Sequence, residues 1–288
     1  MAKKQESTDV AVAEAPRPGY GLILGGPTGL ASQIPEHLRV AAGEGTEEVR
    51  KYLRPGRLKV MQSNRTSIFS DFQEGSVIVT PVNMLLAEND VPFHFIPLLF
   101  FSEWCTVNPF QMKDKLPMIR AQSFDPGSDI AIKSRDKDKR TEKCPENDKF
   151  MIKHKQYFNF VCWLALQEEL SRIPVLLTFS GGEYARGQRL CDMISMKSQQ
   201  VPLWGQVYEG RVNPKKRTSE GGEWYGIDVS SPTVEGVSPF VMDPGEAQAL
   251  QQAHRDLKAK HAERLLVTDH EEEEAEAQAA ETSGESKF

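Results

Sequence analysis

Lys153, Lys155 and Tyr157 are separated by single residues within FMIKHKQYFNF (150–160). A β-strand turns alternate side chains to the same face, so Met151, Lys153, Lys155, Tyr157 and Asn159 form one set, with two cations beside an aromatic ring. Phe150, Ile152, His154, Phe158 and Phe160 form the other, largely apolar and suited to a core. Lysines neutralise phosphates and flat rings stack on bases, so the first set, turned outward, has the chemistry that a single-stranded nucleic acid requires. Taken alone, an ordinary half-buried strand with solvated lysines has the same pattern.

Two further stretches combine charge and rings. KSRDKDKRTEK (133–143) holds Lys139 and Arg140 among alternating charges and reads as a solvated loop, which beside the 150–160 strand would form one wall of an electropositive groove. NPKKRTSEG reads as a hairpin between the strand candidates PLWGQVYEGRV and GEWYGIDV. It carries Lys215, Lys216 and Arg217 at its tip, followed by Trp224 and Tyr225, which as neighbours face opposite sides of a strand. The expected nucleic-acid contacts are Lys153, Lys155, Tyr157, Lys215, Lys216, Arg217 and Trp224, with Lys139 and Arg140 second.

Other chemistries find less support. Cys144, His154 and Cys162 are separated by ten and eight residues, which matches no common zinc spacing, so no metal or cofactor is expected. GYGLILGGPTGL (19–30) lacks both the GK[ST] ending and the GxGxxG spacing of phosphate loops and reads as a structural turn. Glu168 and Glu169 are adjacent and point apart, and Ser180-Gly181-Gly182 is not a nucleophile elbow. With no Ser-His-Asp, Cys-His or paired-carboxylate arrangement in view, the chain is not expected to be an enzyme.

The elements that must position these residues are mostly short strands. RLKVMQ, GSVIVTP and VPFHFIPLLFF are rich in branched and aromatic residues and bounded by turn formers, and PVLLTFSG reads as a buried strand. VNMLLAEND (82–90) reads as a helical turn between strands, and 35–53 as two short helices. His94, inside an apolar run, is expected in a core or an interface. EYARGQRLCDMISMKS reads as a helix with Tyr184, Leu190, Cys191 and Ile194 on one side. Asp243-Pro244-Gly245-Glu246 has the acid, proline and N3 glutamate of a capped helix start, and the spacing of Ala247, Leu250, His254, Leu257, His261 and Leu265 predicts a helix to about Val267. His254 and His261 are expected to pack rather than to ligate.

Charge divides the chain sharply. Residues 269–288 contain eight acids and one base, while the other 268 hold 34 bases and 33 acids, so the net charge of −6 belongs to the tail. A near-neutral body carrying an anionic tail does not exclude a polyanionic partner. DHEEEEAEAQAAETSGESKF has no aromatic residue before Phe288 and too little apolar surface to fold alone. No apolar run reaches the length of a membrane helix, the N-terminus carries no apolar signal core, and four scattered cysteines fit reduced thiols, so a soluble, cytoplasmic protein is expected.

An acidic tail with a terminal hydrophobic residue resembles the C-terminal tails of single-stranded DNA-binding proteins, particularly those of bacteriophage replication systems. The likeness covers Asp269 to Phe288, and Phe288 follows Ser286-Lys287 rather than a compact Asp-Asp-Pro-Phe ending. The resemblance implies an OB-fold β-barrel core, single-stranded DNA as ligand, a tail that competes for the DNA groove, and recruitment of replication or recombination proteins through Glu271, Glu272, Glu273, Glu274 and Phe288. The host cytoplasm is then the location.

The expected fold is mainly β with added helices (α+β). Residues 1–18 form a disordered arm, 19–242 an OB-like nucleic-acid-binding core, 243–267 an amphipathic helix and 268–288 a disordered acidic tail. The alternative is a phage-encoded structural or assembly protein whose β-rich body oligomerises.

Overall fold

The alternation along 150–160 belongs to the longest strand of the sheet, which runs for 20 residues. A computed structural model describes residues 54–62, 72–80, 84–166, 169–216, 223–266, 268 and 270, with backbone alone at 166, 169–173, 215, 216 and 223. The glycine-rich stretch 19–30, the helices expected over 35–53, Arg217, and the tail residues Glu271, Glu272, Glu273, Glu274 and Phe288 lie outside the described residues.

Among the described residues ten strands form one mixed sheet: β1 (Gly56–Val60), β2 (Val77–Thr80), β3 (Met84–Ala87), β4 (Phe93–Val107), β5 (Ile119–Ser123), β6 (Thr141–Cys144), β7 (Asn147–Leu166), β8 (Glu169–Phe179), β9 (Tyr208–Lys216) and β10 (Glu223–Ser230). The order is β10-β9-β4-β7-β8-β1-β2-β3, with β5 added to β4 and β6 to β7. All pairs are antiparallel except β1 with β8. The fold is thus mainly β with added helices, as expected, and the described strands make an open sheet rather than a closed ring. No helix among the described residues is long and apolar enough to cross a membrane. Within 82–90, read as a helical turn, MLLA supplies β3 instead, because Met84, Leu85 and Ala87 pair with β2 and that pairing outweighs local propensity.

β4 and β7 are the spine, and each has two buried faces. On the first face Phe93, Phe95, Phe158, Phe160, Leu177 and Phe179 form the main core under helix α2 (Tyr184–Lys197), where Leu190 is buried. Each large side chain buried there contributes about 1.5–3 kcal/mol. α2 sits close because Gly187 has no side chain: a Cβ there would lie 2.7 Å from Phe158 Cδ2 and 2.8 Å from Phe179 Cβ. The short helix α1 (Asp129–Arg135) also packs on this face, its Arg135 guanidinium 5.3 Å from the Trp104 ring centroid. A bulge at Pro97, which has no N–H for the ladder, resets the alternation of β4. On the second face Ile96, Leu99, Phe101, Val161, Trp163 and Leu176 pack with Leu250 and Leu257 of helix α3 (Pro244–Ala262).

α3 begins as expected, with the Asp243 carboxylate accepting from Glu246 N at 2.7 Å. It ends five residues before Val267. Leu265 N donates to Lys260 O and Arg264 N to His261 O, with Arg264 at φ 59°, which is a Schellman closure. Arginine stands where glycine usually marks such an end, so the sequence carried no stop signal. The turn sends the chain back onto the second face of the sheet.

Candidate nucleic-acid interface

The register between β4 and β7 sets the site. Tyr157 lies opposite Glu103, Lys155 opposite Cys105 and Lys153 opposite Val107. Alternation puts Lys153, Lys155, Tyr157 and Asn159 on the second face, as the sequence indicated. Both lysines are half-buried, but Tyr157 and Asn159 are fully buried rather than exposed. The chain leaving α3 covers them: the His270 ring stacks on Tyr157 with centroids 4.1 Å apart and planes 18° from parallel.

Glu103, the one acid of β4, is the centre of this cluster and has no side-chain exposure. Its Oε2 accepts from His270 Nε2 at 2.9 Å, Thr268 Oγ1 at 2.8 Å and Asn159 Nδ2 at 3.1 Å. Its Oε1 accepts from Gln122 Nε2 and, at 3.4 Å, from Cys105 Sγ. Asn159 Oδ1 accepts in turn from Thr178 Oγ1 at 3.0 Å. Burial acts to raise the Glu103 pKa, but the hydrogen bonds from His270, Thr268 and Cys105 hold the carboxyl below its ordinary value.

On its other side His270 Nδ1 lies 3.1 Å from Arg57 Nη2. Arginine only donates, so Nδ1 carries the lone pair and Nε2 the proton given to Glu103. Arg57 and Lys59, two residues apart on β1, add cations to the face that already holds Lys153 and Lys155. A buried carboxylate, a stacking ring and four cations therefore share one side of the sheet.

The other expected contacts fall into two places. Lys139 and Arg140 lie exposed in the turn before β6; Lys139 Nζ is 3.4 Å from Asp136 Oδ2, and Arg140 O accepts from His154 N. Because Thr141 pairs with Lys153, these residues stand at the same end of the sheet as the β7 lysines. The hairpin is elsewhere. Lys215 and Lys216 oppose Trp224 and Glu223 across β9 and β10, and the register leaves about 60 Å of strand path between Lys153 and Lys215. Trp224 is half-buried under Arg186, whose guanidinium is 5.1 Å from the ring centroid and whose Nε donates to Asp228 Oδ1 at 2.6 Å.

The histidines and cysteines occupy separate environments. His94 Nε2 is 3.6 Å from Glu209 Oε2, His254 Nδ1 donates to Leu98 O at 2.6 Å, and His261 packs 4.5 Å from the Phe101 ring, where burial lowers its pKa. Cys144 Sγ lies 3.8 Å from Met112 Sδ, His154 Nδ1 3.0 Å from Thr106 Oγ1, and Cys162 against Phe160 O.

Sequence reasoning missed Glu103, Asn159, Arg57, Thr268 and His270 as parts of the site. A single acid within FHFIPLLFFSEWCTV was the available signal, since a carboxylate in a buried strand needs donors brought from elsewhere. No family model matches the chain, and neither the curated proteins nor the solved structures contain a match.

Proposed function

We propose that the protein binds single-stranded DNA along the second face of the sheet, coating unpaired strands during replication or recombination. The observation that carries this reading is the stack of His270 on Tyr157 on a face that also bears four cations: a flat heterocycle already lies on the only tyrosine of the lysine-bearing face of β7. In the bound state Lys153, Lys155, Arg57 and Lys59 neutralise phosphates while Tyr157 takes a base in place of the imidazole. Lys139 and Arg140 extend the path at the same end of the sheet, and the hairpin residues Lys215, Lys216, Arg217 and Trp224 add a further contact for a longer strand.

His270 is followed directly by Glu271–Glu274, so the anionic run starts at the cationic face and acts there as a tethered competitor. DNA displaces it, and the tail with Phe288 then recruits replication or recombination proteins. An OB-like barrel core belongs to the same proposal. What favours it is the approach of β10 to the end of β1, where Gln62 Nε2 donates to Tyr225 O at 2.8 Å and Gln62 Oε1 accepts from Tyr225 N at 2.9 Å. A cytoplasmic location, in the host where the chain is phage-encoded, follows from this role.

Fluorescence anisotropy of labelled oligo-dT and a matching duplex, across a salt series with the full chain, tests the reading. Preference for the single strand is expected, with log affinity falling by about 0.7 per phosphate contact for each unit of log salt. Lys153→Glu with Lys155→Glu is expected to weaken binding and flatten that slope by about 1.4. Absence of binding at low salt overturns the reading. A concentration-dependent assembly in its place favours the structural alternative.

A further inference from the structure

The strap formed by Thr268 and His270 makes a specific set of contacts where a base is proposed to lie. Toward the sheet it presents one flat ring on Tyr157, two donors to Glu103 Oε2 (Thr268 Oγ1–H and His270 Nε2–H), and one acceptor, His270 Nδ1, facing Arg57. When the strap leaves, Glu103 keeps Asn159, Gln122 and the weak donor Cys105 but loses the two donors on Oε2, and a buried carboxylate left short of donors is costly.

We infer that the place the strap occupies, floored by Tyr157 and edged by Glu103 and Arg57, is a pocket for a single unpaired guanine. This rests on the single-strand reading above and names the base that the face selects. The Watson–Crick edge of guanine carries two adjacent donors, N1–H and N2–H, and one acceptor, O6, beside them. The two donors replace Thr268 and His270 on the Glu103 carboxylate, O6 takes the Arg57 donor, and the purine replaces imidazole on Tyr157. Cytosine and adenine offer one amino group and one ring-nitrogen acceptor, which leaves one donor place on Glu103 unfilled. Thymine sets its single N3–H between two carbonyls, so one carbonyl faces the carboxylate. The order is guanine first, cytosine and adenine next, thymine last.

The test uses the full chain and short labelled strands differing only at the centre: d(TTGTT), d(TTCTT), d(TTATT), d(TTTTT), and d(TTITT) with inosine, which lacks the N2 donor. Anisotropy at fixed salt is expected to give about tenfold tighter binding for the guanine strand than for the all-thymine strand, with inosine between them. Glu103→Gln, which replaces the charged acceptor that takes both guanine donors by a neutral amide, is expected to bring the guanine strand to within about twofold of the thymine strand. His270→Ala, which removes the occupant, is expected to tighten guanine binding several-fold. This second variant leaves the carboxylate in place should Glu103→Gln fail to fold. Equal affinity for all five strands, or guanine binding unmoved by His270→Ala, overturns the pocket while leaving single-strand binding intact. Failure of every strand to bind at low salt overturns the single-strand reading itself, and the pocket with it.

Discussion

The two faces of β4 and β7 are both buried, but by different means. On the first, Phe95, Phe160 and Phe179 are sealed under α2, with Gly187 against two phenylalanines and Leu190 fully buried. Around Tyr157 on the second, the cover is Thr268 and His270 held by hydrogen bonds to one carboxylate. A hydrocarbon seal loses its whole burial energy if opened, because water offers apolar groups nothing in return. A polar cover exchanges its bonds with anything that offers equivalent donors, so its net strength is small although each bond is well made. Burial alone therefore does not distinguish a permanent core from an occupied site; the chemistry of the cover does.

The largest expected effect is on the sealed face. Leu190→Ala is expected to cost about 2–5 kcal/mol in urea unfolding, leaving an apolar void under α2. A cost below 1 kcal/mol would remove the contrast between the faces. Next is Glu103→Ala, which strands the Asn159 and Gln122 amides and the His270 N–H, with an expected loss of about 2–3 kcal/mol and faster hydrogen exchange in 264–270 than elsewhere. If the whole sheet exchanged faster together, the cover would be part of the core and not a separate unit.

Acid gives a smaller effect with a defined sign. The Glu103 carboxyl titrates below its ordinary value of 4.5 when folded, so its contribution is fully present above that pH and is lost as pH falls through the lower folded value. Unfolding measured from pH 6 to pH 2.5 is expected to show this loss for the native chain and a shallower decline for Glu103→Gln. At the bottom of the scale, Lys139→Ala is expected to change stability by less than about 0.5 kcal/mol, since its partner Asp136 is itself solvent-facing. A larger change would mean that the loop before β6 has a structural role beyond its charge.

What the sequence made legible follows the range of each interaction. Parity along 150–160 sorted Lys153, Lys155, Tyr157 and Asn159 from His154, Phe158 and Phe160 correctly, because alternation is a local property of the backbone. The N-cap at Asp243 and the hairpin between β9 and β10 were legible for the same reason. The exposure of Tyr157 was not, since its cover comes from a residue 113 positions later, beyond a helix whose end has no glycine to mark it. β3 was misread because its strand character comes from pairing with β2 rather than from MLLA itself.

Helix α3 has a consequence for an exposed edge of the sheet. β4 is held on one side by β7 along its length, but on the other β9 reaches only Phe93–Phe95 and β5 only Trp104–Val107, so Ile96–Glu103 has no strand there among the described residues. That interval contains Leu98, Leu99, Phe100 and Phe101, and a naked apolar strand edge is a template for aggregation between copies. Pro97 interrupts the edge, and His254 of α3 donates to the Leu98 carbonyl. Helix α3, made after every described strand of the sheet, thus caps one carbonyl of this apolar edge, leaving an interval during synthesis in which β4 is made and that carbonyl is still uncovered.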